Sequence, residues 1–148
     1  MKTLRKEEQK VVIKNNSFSL KDIENTYELQ IRIPFNSKGN IELYANKDRS
    51  HFLCLEFDTG RGNFTLDRSR TFNLINVDYG IERSIELKTN EELYLTIFVD
   101  QSVCEIFLNK GRKVMTTTYY PEHGQNNLYL ESDKEYLIRY YPLKKQNK

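Results

Sequence analysis

Strict period-two alternation is the feature that most narrows what this chain can fold into. Tyr27, Leu29, Ile31 and Ile33 are apolar or aromatic, and Glu28, Gln30 and Arg32 separate them. Successive side chains on a strand point to opposite faces, so the pattern reads as a strand with one dry face and one wet face. Pro34 closes it, because a central strand cannot spare a backbone N–H. The alternation resumes at Ile41, Leu43 and Ala45, and again at Ile81, Arg83, Ile85 and Leu87. Residues 51–58 form a denser apolar run that suits a central strand, and 64–67 follow a Gly-containing turn. Residues 93–100 and 103–109 read as adjacent strands joined by the tight Asp100-Gln101-Ser102 connection. Further strands are expected at 11–14, 113–121, 127–132 and 135–142, with turn-rich stretches at 15–25 and a looser segment at 70–80.

About ten to twelve short strands at regular spacing, with no helical periodicity, predict an all-β domain. The expected architecture is an antiparallel two-sheet sandwich of the lectin or concanavalin type, with a closed barrel as the alternative. Composition agrees: 10 Tyr and 8 Phe, with no Trp, favour pleated surfaces. The length of 148 residues suits one domain. Boundaries are expected at a linker-like 1–10, a module at 11–143 and a loose tail at 144–148.

Charge narrows the function classes. Lys and Arg number 23 against 21 Asp and Glu, so no global field points to nucleic acid or to an anionic membrane. No apolar run reaches 18 residues, and Met1 to Lys10 lacks the apolar core of a signal peptide. Cys54 and Cys104 sit in apolar runs and read as buried thiols, with a disulfide between neighbouring strands left open. His51 and His123 are far apart, and with the cysteines they match no usual zinc spacing, so neither metal nor cofactor is expected. Gly60-Arg61-Gly62 lacks the context of a nucleotide fingerprint. Sequons occur at Asn15 and Asn63.

The most informative stretch is 92–121, ELYLTIFVDQSVCEIFLNKGRKVMTTTYYP. With GNFTLDRSR at 62–70 and LRKE at 4–7, it resembles the C-terminal module of glycoside hydrolase family 32, the invertase, sucrose-6-phosphate hydrolase and levanase family. The matching positions are Ile97 to Asp100, Ser102, Glu105, Phe107, Asn109, Gly111, Thr116 to Thr118, Tyr120 and Pro121, then Gly62 and Leu66 to Ser69. The chain departs from the family pattern at Gln101, where an Arg is usual, and at Cys104. The resemblance implies a non-catalytic sandwich whose partner is an N-terminal β-propeller holding the catalytic carboxylates. Its N-D-P-N, R-D-P and E-C-P motifs are absent from this sequence.

The chain alone is therefore expected to have no catalytic residues and to act as a structural module, with a homodimer contact as a further option. Asp67, Arg68, Asp100 and Glu105 are candidates for an ion-pair and hydrogen-bond network that pins loops or meets the neighbouring domain. The alternative function is carbohydrate binding through exposed members of Tyr119, Tyr120, Tyr129, Tyr136, Tyr140 and Tyr141, since aromatic faces suit sugar rings. Met1 permits a complete gene product, but the linker-like start favours a domain cut from a longer protein. For that parent a cytoplasmic location is favoured over an extracellular one.

Overall fold

The computed structural model describes residues 4–5, 11–70, 82–87, 91–109 and 111–144. Among them are eleven strands: β1 (Leu4–Arg5), β2 (Val11–Leu20), β3 (Thr26–Ile33), β4 (Lys38–Ala45), β5 (Leu53–Asp58), β6 (Asn63–Asp67), β7 (Glu82–Glu86), β8 (Leu93–Asp100), β9 (Val103–Leu108), β10 (Lys113–Thr118) and β11 (Asn127–Lys144). Every pairing is antiparallel. The strands hydrogen-bond continuously in the order β10-β9-β8-β3-β11-β4-β5-β6-β7, with β1 and β2 also on β11.

The expected two separate sheets are thus one curled sheet, and β11 is the physical reason. Its first part, Asn127 to Ser132, pairs with β4, and its second part, Leu137 to Pro142, pairs with β3. β2 runs beside both parts, with a register break between Glu131 and Tyr136. The sheet bends there and has two wings, β3-β8-β9-β10 and β4-β5-β6-β7. Their apolar faces meet. Leu29, Ile97 and Ile106 of one wing and Ile41, Leu55 and Phe64 of the other belong to one continuous core, each fully buried.

The far edges of the curl also approach. Arg83 on β7 donates to the Thr116 carbonyl on β10 (3.0 Å), and Lys113 on β10 donates to the Glu86 carbonyl (2.5 Å). Each edge lends a cation to the other's exposed carbonyls, which blunts two free strand edges.

Three strand expectations change. Residues 15–20, expected as turn, continue β2, and Phe18 is the buried side chain among residues 16–20. Residues 127–132 and 135–142, expected as two strands, are one 18-residue strand interrupted by the bulge. β10 stops at Thr118 rather than at Pro121. Within the segment expected as linker, Leu4 and Arg5 pair with Lys144 and Leu143. The looser segment expected at 70–80 lies outside the described residues from 71 onward, as does Ile81.

Candidate functional site

The outward face of each wing is fixed by parity. On β8 the inward residues are Leu93, Leu95, Ile97 and Val99, so Tyr94, Thr96, Phe98 and Asp100 point out. On β9 Cys104, Ile106 and Leu108 point in, leaving Val103, Glu105 and Phe107 outside. On β10 Met115 and Thr117 are buried, and Val114, Thr116 and Thr118 are exposed. Register places Thr96, Phe107 and Val114 in one row, Phe98, Glu105 and Thr116 in the next, and Asp100, Val103 and Thr118 in the third. Phe98 and Phe107 meet edge to face, with centroids 5.8 Å apart at 88°. Val103 is 39% exposed and Val114 50%.

On the other wing the outward face of β4, β5 and β11 carries a small apolar cluster. Ala45, Phe52, Cys54 and Tyr129 form a small second core there. Arg49 lies over the Tyr129 ring, 4.6 Å from its centroid. Its guanidinium holds Glu42 in a two-pronged bond (2.9 and 2.8 Å) and also reaches Glu131 (2.7 Å). Glu42 is only 5% exposed, and this fork supplies its counter-charge. The two carboxylates hold Arg49 more firmly protonated than a free guanidinium.

At one end of the sheet, three loops are stitched by side-chain amides. Buried Asn127 donates to the Ala45 carbonyl (2.9 Å) and accepts from the Asp22 N–H (3.0 Å). Buried Gln125 donates to the Tyr44 carbonyl (3.1 Å) and to the Tyr119 hydroxyl (2.6 Å), and accepts from the Glu122 N–H (2.6 Å). Tyr44, at φ +53°, stacks on Tyr119 with centroids 4.6 Å apart. Asn25, Asn46, Lys47, Asp48 and His123 line an open polar cleft of about 740 Å³ between these loops. Among the described residues no group of three or more His, Cys, Asp or Glu is placed to hold a metal ion.

The four expected network residues are divided by the fold. Asp67 lies beside Cys54 on the outward face of β6, where it accepts the Ser69 N–H (2.8 Å), and Arg68 follows at the strand end. Asp100 and Glu105 lie on the outward face of the opposite wing. Asp67 and the Asp100–Glu105 pair therefore stand on the outward faces of different wings. The candidate tyrosines differ in exposure. Tyr119, Tyr129, Tyr136, Tyr140 and Tyr141 are at most 9% exposed, and only Tyr120, at 56%, offers a ring to solvent. On the outward face of β11 Tyr129 and Tyr141 are buried although Glu131 and Arg139 on the same strand are exposed. Tyr140 faces the core, while Tyr141 is buried opposite Glu28.

The cysteines are also on opposite sides: Cys104 in the core, Cys54 in the outer cluster. Both are free thiols, which closes the disulfide option. Burial pushes each up to about 12. Sequence reasoning missed Arg49, Glu42, Gln125 and Asn127. Glu42 and Asn127 are polar residues buried on strands, and Arg49 and Gln125 reach them or their neighbours from loops, which a single sequence does not reveal.

The family described as glycosyl hydrolases family 32, C terminal, matches residues 1–140. The chain belongs to this family. It corresponds to the C-terminal domain of family 32 and not to the catalytic propeller. It is 32% identical over 144 residues to the sucrose-6-phosphate hydrolase of Streptococcus mutans serotype c, covering 97% of this chain and 28% of that protein. It is 28% identical over 146 residues to the sucrose-6-phosphate hydrolase of Lactococcus lactis subsp. lactis, covering 98% of this chain and 27% of that protein. Among solved structures it superposes on sucrose-6-phosphate hydrolase from Lactobacillus gasseri with a TM-score of 0.77 at 33% identity, over 88% of this chain and 28% of that one. An exo-inulinase from Aspergillus awamori shares the fold at a TM-score of 0.75 and 16% identity, over 96% of this chain and 28% of that one. This family 32 chain thus spans little more than a quarter of the length of its curated relatives.

Proposed function

We propose that the chain is the non-catalytic module that packs against and stabilises the β-propeller catalytic domain of a β-fructofuranosidase-type hydrolase. The match of residues 1–140 to the C-terminal domain of family 32 carries this reading. Sucrose 6-phosphate is the favoured substrate of the whole enzyme, because the relatives near one-third identity bear that name. The two wings act as the two layers of a sandwich, with residues 11–143 as the module and 1–10 as the join to the preceding domain.

The test is a chimera. The matching C-terminal region of the Streptococcus mutans enzyme is replaced by this chain, and hydrolysis of sucrose 6-phosphate is measured beside the isolated chain. The chimera should be active and heat-stable and the isolated chain inactive. Turnover by the isolated chain, or a chimera no more stable than the enzyme with that region deleted, sinks the reading.

A further inference from the structure

Among the described residues three tyrosine hydroxyls are sealed in the interior without a hydrogen-bond partner, those of Tyr27, Tyr44 and Tyr136. A phenol hydroxyl gives up its water on burial, and Phe would fill the same space without that cost. Two of the three come together at the loop end of the core. Tyr27 stands opposite Val99 on β8, Val99 opposite Cys104 on β9, and Cys104 opposite Thr117 on β10. All four are buried, so this row crosses the inner face of one wing. Tyr44 enters from the other wing. Its backbone sits at φ +53°, a left-handed conformation that strains an aromatic residue. Its ring lies nearly flat on Tyr119, whose N–H donates to the Ser102 carbonyl (2.7 Å) beside the start of β9.

Burial holds Tyr27 well above the ordinary phenol range, and Tyr44 and Cys104 are the next causes. Tyr44 is likewise raised first by burial and next by Cys104. The two hydroxyls and the thiol therefore share one region of the core. Tyr136 stands apart: it meets Phe57 edge-on, and after burial it is Glu131 that raises it. Gln125 caps the shared region. It donates to the Tyr44 carbonyl and to the Tyr119 hydroxyl, and it also lines the polar cleft outside.

We propose that Tyr27, Tyr44 and Cys104 form a binding site for an internal water, a fixed ligand of the core that accepts from one tyrosine hydroxyl and donates to the other. The Cys104 thiol is its third partner, and a buried water needs about two to four. The strained backbone of Tyr44 then has a role, since it turns the ring inward to bring its hydroxyl to the water.

The test joins a crystal structure of the 148-residue chain to urea denaturation of Tyr27→Phe, Tyr44→Phe, the double variant and Tyr136→Phe. Circular dichroism first shows that each variant keeps the parent's fold, and the parent crystal decides even where a variant does not fold. The proposal expects density for a water within hydrogen-bond distance of both hydroxyls. It expects Tyr27→Phe and Tyr44→Phe each to raise the unfolding equilibrium constant about fivefold to tenfold, the loss of about one net hydrogen bond. Because both hydroxyls hold one water, the double variant loses less than the product of the two single effects. Tyr136→Phe, which removes an orphaned hydroxyl, leaves the constant unchanged or lowers it. Greater stability of Tyr27→Phe or Tyr44→Phe marks that hydroxyl as orphaned and overturns the site. A crystal in which the two hydroxyls bond each other directly, with no water, overturns it too. Equal losses in all three single variants also overturn it, since they report any buried tyrosine hydroxyl and not a shared ligand.

Discussion

At the residue scale, one charged group organises the outer cluster. Arg49 touches Glu42, Glu131 and the Tyr129 ring together. Arg49→Ala leaves Glu42 nearly buried and uncompensated, a change that costs about 3–5 kcal/mol in a dry site. Solvent reaches the Arg49 side chain, which is 38% exposed, so the expected loss is about 2 kcal/mol in urea denaturation. Glu42→Leu with Arg49→Met should cost less than Arg49→Ala alone, because no orphaned charge remains. The thiols give a pH prediction. Cys54 and Cys104 are pushed from 9 up to about 12 by burial, and Tyr140 from 10 up to about 12 for the same reason. The folded chain holds these protons more tightly than the unfolded chain. Their contribution is therefore complete below pH 9 and is lost as pH rises from 9 toward 12. Denaturation midpoints should be flat on the neutral side of that window and fall within it. Thiol reagents at pH 8 should label neither cysteine until the chain unfolds.

At the scale of elements, legibility depended on whether a strand keeps one wet face. β8 and β9 do, and Leu95, Ile97 and Val99 are buried as the alternation demands, as are Tyr27, Leu29, Ile31 and Ile33 on β3, whose outward Thr26 and Glu28 are buried too. β11 does so only in part. Its register breaks between Glu131 and Tyr136, and the polar run Ser132 to Glu135 reads as a turn when it is a bulge inside a strand. The same strand buries Tyr140 on one side and Tyr129 and Tyr141 on the other. The polar second half of β2 was hidden because Phe18 and Leu20 stand among Asn16, Ser17 and Ser19. Gly39 is where β4 and β11 come closest: a Cβ there would collide with the Glu131 carbonyl oxygen and the Phe57 ring. Gly39→Ala should cost about 3 kcal/mol, the upper range for overpacking, because the obstruction includes backbone. The check is the chemical denaturation midpoint, with Gly111→Ala as a contrast in which strain comes from φ +90° alone and no atom stands in the way.

For the whole molecule, one bent strand turns a sheet into a two-winged body with a single core. Arg83 and Lys113 tie its far edges through opposing carbonyls. The family could be read from short motifs because Asp100, Ser102, Glu105 and Phe107 fall on one hairpin, where local sequence carries the shape. Partition of the candidate residues between the two wings could not be read, since it depends on how distant strands fold over the core. The account proposed above is of a domain that completes another, with Arg49 roofing the outer cluster on β4, β5 and β11.

The most direct measurement is calorimetric melting of the Streptococcus mutans enzyme lacking its matched C-terminal region, alone and titrated with this chain. The account predicts a melting temperature that climbs with chain concentration, as binding to the folded state requires. A melting temperature indifferent to the chain at saturating concentration would contradict it.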